Sequence, residues 1–316
     1  MRVMDSGFYP LAKGITCIDA VYMRPQMACL YLLEHQGECA IIETGTSHSV
    51  AALERVLASR GLRPEQVRYV IPTHVHLDHA GGAGLMMSLF GEAQLLVHPR
   101  GARHLVDPSR LIASSMAVYG EEKFRALYGE IVPIAADRVR EMDDGEVVLL
   151  ADRPLQFRHT RGHADHHFCI WDEASRGWFG GDMFGLCYPW FRLPGGDFVL
   201  PSSTPTQFRP QDFLDSLALL DSYQPQRIYL THFGELPYSP AVYQLLAGQV
   251  ADYPGLAREH GTSLEAMEQA IMELALTHMN ALDTKLDRAA MAESLRFDAH
   301  LNAQGLAVWL QQHMQE

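Results

Sequence analysis

Three imidazoles and one carboxylate fall within six consecutive residues in His74-Val75-His76-Leu77-Asp78-His79. Such side chains are costly to leave unpaired in a folded interior, and nitrogen and oxygen donors at this density suit a borderline divalent metal. The plain alternative is a polar loop. The flanks weigh against it. Gln66-Val67-Arg68-Tyr69-Val70-Ile71 is a short apolar, β-branched run that predicts a strand, and Gly81-Gly82-Ala83-Gly84-Leu85-Met86-Met87 opens a helical pattern. The motif therefore occupies a strand-to-helix turn, beyond the carboxyl end of a strand, where α/β sheets bind ligands. Ala80-Gly81-Gly82 would let the backbone pass close to such a site.

The 316 residues, 47% hydrophobic and 20% charged, suffice for one large domain and a small one. A formal charge of −13 repels phosphate backbones, which argues for a small-molecule substrate and against a nucleic-acid partner. Five cysteines (Cys17, Cys29, Cys39, Cys169, Cys187) lie scattered without CxxC spacing, an odd count that fits neither a disulfide framework nor a thiolate zinc site, so a reducing cytoplasm is expected. Met1 to Gly7 carries no apolar signal core and no run approaches the roughly 20 apolar residues that span a bilayer, so no membrane association is expected.

Along the chain, Ile15 to Met23, Met27 to Glu34 and Glu38 to Ile42 read as a strand meander, and Ser49 to Arg60 as a helix closed by Gly61. After the histidine motif come a helix from Gly82 to Phe90 and a strand from Gln94 to His98. His98 and His104 have no partner at ligand spacing and read as structural or surface residues. Residues 99–142 are helical in pattern, an insertion of the kind that flanks a site. Strands follow at 147–150, 154–159, 168–171 and 178–181, then a helix over 211–223 and a strand over 227–230. Between them, residues 184–206 form an irregular loop in which Phe184, Tyr188, Trp190 and Phe191 are candidates to wall a substrate pocket, the alternative being a loop that buries its own aromatics. After Pro240 only helices are predicted: Tyr243 to His260, Ser263 to Met279, a stretch near Leu286 to Phe297, and Asn302 to Gln315. Their methionines, Met314 included, read as core packing, with a homodimer contact as the alternative.

Four further landmarks stand in order around the HxHxDH motif: Ile41-Ile42-Glu43-Thr44-Gly45, Thr160-Arg161-Gly162-His163, Gly180-Gly181-Asp182 and Thr231-His232-Phe233-Gly234. Over roughly residues 10–240 the chain resembles the metallo-β-lactamase superfamily. The resemblance implies an α/β fold, a four-layer αββα sandwich, with residues 1–238 as the catalytic domain and 239–316 as a C-terminal helical extension. It implies that His74, His76 and His163 bind one metal ion, that Asp78, His79 and His232 bind a second, and that Asp182 bridges the two. Asp78 and Asp182 would also serve catalysis.

The residues alone leave open which imidazole near residue 163 is the ligand, since Asp165, His166 and His167 crowd the same turn. The resemblance selects His163, makes His167 structural, and leaves His159 and His166 as neighbours. Arg161 replaces the family's usual proline. Glu43 stands where the family usually carries aspartate, which leaves its bracing role open, and it is not assigned as a ligand. An all-nitrogen-and-oxygen donor set fits two Zn²⁺ ions, with Fe or Mn compatible. The resemblance implies that a bridging aspartate is kept in the glyoxalase II, lactonase and phosphodiesterase branches, and the chain is read as glyoxalase II-like or lactonase-like, hydrolysing a thioester, ester or lactone by a metal-bridging hydroxide. An iron-dependent sulfur dioxygenase and a non-catalytic ligand-binding member of the fold are the alternatives.

Overall fold

The structure, a computed structural model, describes residues 7–203 and 206–313. Seven strands form the first sheet in chain order: β1 (Phe8–Pro10), β2 (Ile15–Asp19), β3 (Cys29–His35), β4 (Glu38–Ile42), β5 (Val67–Ile71), β6 (Gln94–Val97) and β7 (Val139–Glu141). The first four make an antiparallel meander, and β4 through β7 run parallel. Parallel neighbours need crossovers. These are α1 (Val50–Ser59), then α2 (Leu77–Ala80) with α3 (Ala83–Leu89), then α4 (Pro99–Val106), α5 (Ser109–Tyr119) and α6 (Glu121–Tyr128), the last three making up the expected helical insertion.

The second sheet contains β8 (Val147–Leu150), β9 (Arg153–His159), β10 (Phe168–Asp172) and β11 (Gly177–Gly181). After a small ribbon of β12 (Arg192–Leu193) and β13 (Gly196–Asp197), it is completed by β14 (Arg227–Leu230) and β15 (Gly234–Pro237). Its order is β15-β14-β11-β10-β9-β8, and the parallel β11–β14 pair is joined through α7 (Pro210–Ser222). The sheets meet face to face: Tyr31 on β3 lies edge-on to Phe179 and Tyr229, with ring centroids 5.3 and 5.6 Å away. Alternate residues of β3 and β4 (Tyr31, Leu33, Ala40, Ile42) enter that inner core, while Leu30, Leu32, Cys39 and Ile41 pack with Leu53 and Val56 of α1. Burial on both faces is why these strands read as continuous apolar runs.

Three helices follow: α8 (Pro240–His260), α9 (Leu264–Leu282) and α10 (Arg288–His313). Leu246, Tyr253, Met267, Ile271, Met279, Leu295 and Leu306 join the core of the second sheet, so the helices are packed onto it. Met267 and Met279 are core residues as expected; Met314 lies outside the described residues.

Two expectations are corrected. The strand predicted over Ile15–Met23 stops at Asp19, whose carboxylate accepts the backbone N–H groups of Val21 (2.8 Å) and Gln26 (2.9 Å) and turns the chain away from the sheet. The two helices predicted around Leu286–Phe297 and Asn302–Gln315 are one helix. Asp298 and Asn302 bond partners outside it instead of competing for its own backbone, so the helix runs through them.

Candidate metal centre

Strand ends deliver every proposed ligand. His74 and His76 follow β5, and the single turn of α2 carries Asp78 and His79. His163 lies in the turn between β9 and β10, Asp182 follows β11 directly, and His232 stands two residues beyond β14. Gly181 has φ +51°, and a Cβ there would lie 2.4 Å from His167 Nε2 and 2.5 Å from Thr73 Oγ1. Only glycine lets β11 pass the motif closely enough to present Asp182.

The seven side chains converge. His163 Nε2 is 3.3 Å from His74 Nε2 and 3.2 Å from His76 Nδ1. Donors held ~2.0–2.1 Å from a tetrahedral ion stand about 3.4 Å from one another, so these spacings match an ion's requirement. His74 Nε2 and His76 Nδ1, at 2.7 Å, are closer and must open slightly around one. Asp182 faces two ways: Oδ1 lies 3.2 Å from His79 Nε2 and 3.4 Å from His232 Nε2, while Oδ2 lies 3.4 Å from His163 Nε2. Asp78 Oδ2 is 3.8 Å from His79 Nε2 and 3.6 Å from His232 Nε2. Three groupings thus have metal-holding geometry: His74/His76/His163, His74/His79/Asp182 and Asp78/His79/His232. His79 Nε2 and Asp182 Oδ1 are buried without a hydrogen-bond partner, an arrangement that a cation between them would relieve. The residues fit a bound metal.

The far ring nitrogens fix how the imidazoles point. His163 Nδ1–H donates to Ser202 O (3.0 Å) and His232 Nδ1–H to Met27 O (2.7 Å), which leaves each Nε2 lone pair directed into the site. His79 Nδ1–H donates to Glu43 Oε1 (2.9 Å), and His74 Nδ1 lies 3.1 Å from Thr73 Oγ1, which itself donates to Glu43 Oε1 (2.6 Å). The carboxylate of Glu43 also accepts Thr73 N–H (3.1 Å) and Thr231 Oγ1–H (2.8 Å). The question left open by the sequence is thereby answered: this buried glutamate, at φ +64°, braces both strand ends. His167 is structural, with Nδ1 against Thr160 Oγ1 (2.8 Å) and Nε2 accepting Asp182 N–H (3.3 Å). His166 accepts Val75 N–H at 3.4 Å, and the His159 ring lies 4.0 Å from that of His98, tilted 38° to it.

Electrostatics divide the site. Burial and the neighbouring imidazoles hold His74 and His76 well below the usual histidine range, and burial holds His163 below it, which keeps these nitrogens neutral and available. Burial also opposes charge on His79, but Glu43, Asp182 and Asp78 outweigh it and hold His79 well above its usual value. For Asp182 burial favours the neutral acid, yet His79, His163 and His232 hold the carboxyl well below its usual range. The carboxylate-rich half attracts positive charge.

A cavity of about 380 Å³ opens onto His76, Asp78, His163, Asp182 and His232. Its walls come from the loop after β2 (Tyr22, Met27), from α5 and α6 (Leu111, Ser114, Tyr119, Tyr128), and from α10 (Phe297, Asp298, Leu301, Asn302). Of the four aromatics expected to wall a pocket, Tyr188 does so. Phe184 and Phe191 are wholly buried in the core, so for these two the loop buries its own aromatics, and Trp190, half-buried, stacks on Tyr188 beneath the Arg24 guanidinium instead of lining the cavity. No pattern in the chain singled out Ser202, Tyr22, Tyr128 or Asp298, because each is brought to the cavity from a separate loop or helix.

The same landmarks mark a known family. Residues 27–232 match the model of the metallo-beta-lactamase superfamily, and the chain belongs to that superfamily. The solved archaeal superfamily protein ST1585 from Sulfolobus tokodaii has the same fold, with a TM-score of 0.64 at 20% identity, covering 94% of this chain and 99% of that one. TTHA1429 from Thermus thermophilus, a metallo-beta-lactamase family protein, gives 0.58 at 23% identity, covering 99% and 95%. In sequence the chain is also similar to human acyl-coenzyme A thioesterase MBLAC2, 24% identical over 194 residues, 55% of this chain and 64% of that protein.

Proposed function

We propose that this chain is a hydrolase of the glyoxalase II-like and lactonase-like branch, using two divalent metal ions, zinc foremost, on a small-molecule thioester, ester or lactone. The observation that carries the reading is Asp182, whose two oxygens face different histidine groups. His74, His76 and His163 would hold one ion and Asp78, His79 and His232 the other, with Asp182 reaching both. When bound, the ions supply Lewis acidity to an acyl carbonyl and bring the pKa of water toward about 7.

The chain's own residues prepare this chemistry. Asp182 is kept ionised by the surrounding imidazoles, and Ser202 Oγ–H donates to its Oδ2 (3.0 Å). Burial raises the phenols of Tyr22 and Tyr128, which therefore stay neutral, and their hydroxyls lie 3.3 Å apart in the cavity wall. Whichever one accepts in that pair keeps a proton to donate to a substrate oxygen. Among the described lining residues none is Lys or Arg, so the wall suits an uncharged acyl group better than a phosphodiester. The name of the MBLAC2 relative supports the thioester arm of the reading. Five buried, unpaired cysteines suit a reducing cytoplasm.

The test combines elemental analysis of the native protein with turnover on a panel of thioesters, lactones and phosphodiesters. Two equivalents of metal and hydrolysis of the acyl substrates are expected. Titration without product would turn the reading into a binding protein, and oxygen consumption with a single iron would turn it into a dioxygenase.

A further inference from the structure

One residue joins two of the proposed ligands that come from different strands. Ser202 accepts His163 Nδ1–H at its carbonyl (3.0 Å) and donates from Oγ to Asp182 Oδ2 (3.0 Å). Ser202 sits in an irregular segment, beyond the isolated backbone pairing of Leu200 with Leu186, so no sheet fixes its position. Upstream, Gln249 on α8 holds Val199 O (2.8 Å), and at Ser202 itself the grip comes from a side chain of α10. Asn302 Nδ2–H donates to Pro201 O (2.8 Å), and its Oδ1 accepts both Ser203 N–H and Ser203 Oγ–H (2.8 Å each). Its second N–H points to Tyr253 Oη (3.3 Å). All four hydrogen-bonding positions of the amide are filled. The residue is 2% exposed and grips the backbone on both sides of Ser202.

We propose that Asn302 is a positioning residue of the metal centre: through the Pro201–Ser203 backbone it holds the groups that orient His163 and Asp182, so the C-terminal helix is part of the site. This rests on reading His163 and Asp182 as ligands. It places a determinant of metal affinity outside residues 27–232, the span that matches the family model. An amide suits the task because it offers a donor and an acceptor on a short stem. The loop's ordering cost is then met by buried bonds made independently of any metal.

The experiment is zinc affinity of the full-length protein by competition with a chromophoric chelator, together with the absorption bands of the cobalt-substituted form. Asn302→Ala should bind zinc about tenfold or more weakly, as removal of an outer support typically does, and should shift the cobalt bands. Asn302→Asp, which keeps the acceptor for Ser203 but sets a second acceptor against Pro201 O, should likewise weaken zinc and shift the bands, and carries the test if the alanine variant does not fold. Leu306→Ala, a buried core truncation on the same helix, should lower thermal stability and leave zinc affinity and the cobalt bands unchanged. The proposal is overturned if the Asn302 variants match wild type in affinity and spectrum, or if Leu306→Ala weakens zinc as much as they do. A wild-type protein that takes up no metal would instead overturn the ligand reading itself, and the proposal with it.

Discussion

Glu43→Gln tests the bracing of the centre most directly, because every partner of that carboxylate is a donor. Oε1 accepts from Thr73 Oγ1 (2.6 Å), Thr231 Oγ1 (2.8 Å) and His79 Nδ1 (2.9 Å), and Oε2 accepts from Thr73 N (3.1 Å). An amide supplies one acceptor and one NH₂. With its oxygen in the place of Oε1, its NH₂ confronts Thr73 N–H, leaving a buried donor unsatisfied at about 1–3 kcal/mol. The remaining bonds lose their charge assistance, which is roughly half their strength. Together these predict a loss of roughly 2–5 kcal/mol, short of the total for a typical domain, so the variant still folds. Urea unfolding of the metal-free protein measures this loss. Zinc affinity should fall about 10–100-fold, because His79 loses the group that orients it. Glu43→Asp should also weaken binding, since shortening by one methylene withdraws the carboxylate by about 1.5 Å from partners already at hydrogen-bond distance. A glutamine variant within about 0.5 kcal/mol and threefold of wild type would refute the reasoning.

Asp182→Asn should fold normally yet lose metal and activity together, by more than the roughly 10–100-fold typical of an outer support, and a variant stripped of metal but fully active would remove the mechanism. Asp172→Ala should cost about 3–5 kcal/mol in urea unfolding, because it leaves the Arg153 guanidinium, 3% exposed and paired with Asp172 through Nε at 2.8 Å, as an uncompensated buried charge. Burial pushes the Asp298 carboxyl up to about 6 against the pull of His232 and Tyr188. A carboxyl raised on folding favours the native state at low pH and withdraws that stability as pH rises through the folded value. The metal-free wild type should therefore lose stability relative to Asp298→Asn between about pH 4 and 7, by up to about 3 kcal/mol, as read from unfolding at each pH.

Much of the centre could be read from the chain because its parts are local. His74, His76, Asp78 and His79 lie within one turn, and the strand signals on either side place that turn at a sheet end. Asp182 and His232 likewise close apolar strands, whose ends point the same way in any sheet that pairs β11 parallel to β14. The continuous apolar runs of β3 and β4 were visible for the same reason, since burial on both faces leaves no polar alternation. Local pattern was thus enough to say where the donor-bearing strands β5, β11 and β14 end and which side chains stand there, though not where β2 ends, and hence that donors of metal-binding character gather at one edge of the sheets. The rest emerged from packing at long range. Phe184 and Phe191 went into the core while Tyr22, Tyr128 and Asp298 came to the cavity, Glu43 became a hub for both sheets, and α10 took hold of the loop at Ser202. The difference lies in the reach of the interactions. Strand ends and turns follow from neighbours a few residues apart, whereas a cavity wall and a bracing hydrogen bond depend on which distant surfaces meet, and many apolar sequences bury equally well until the packing selects one.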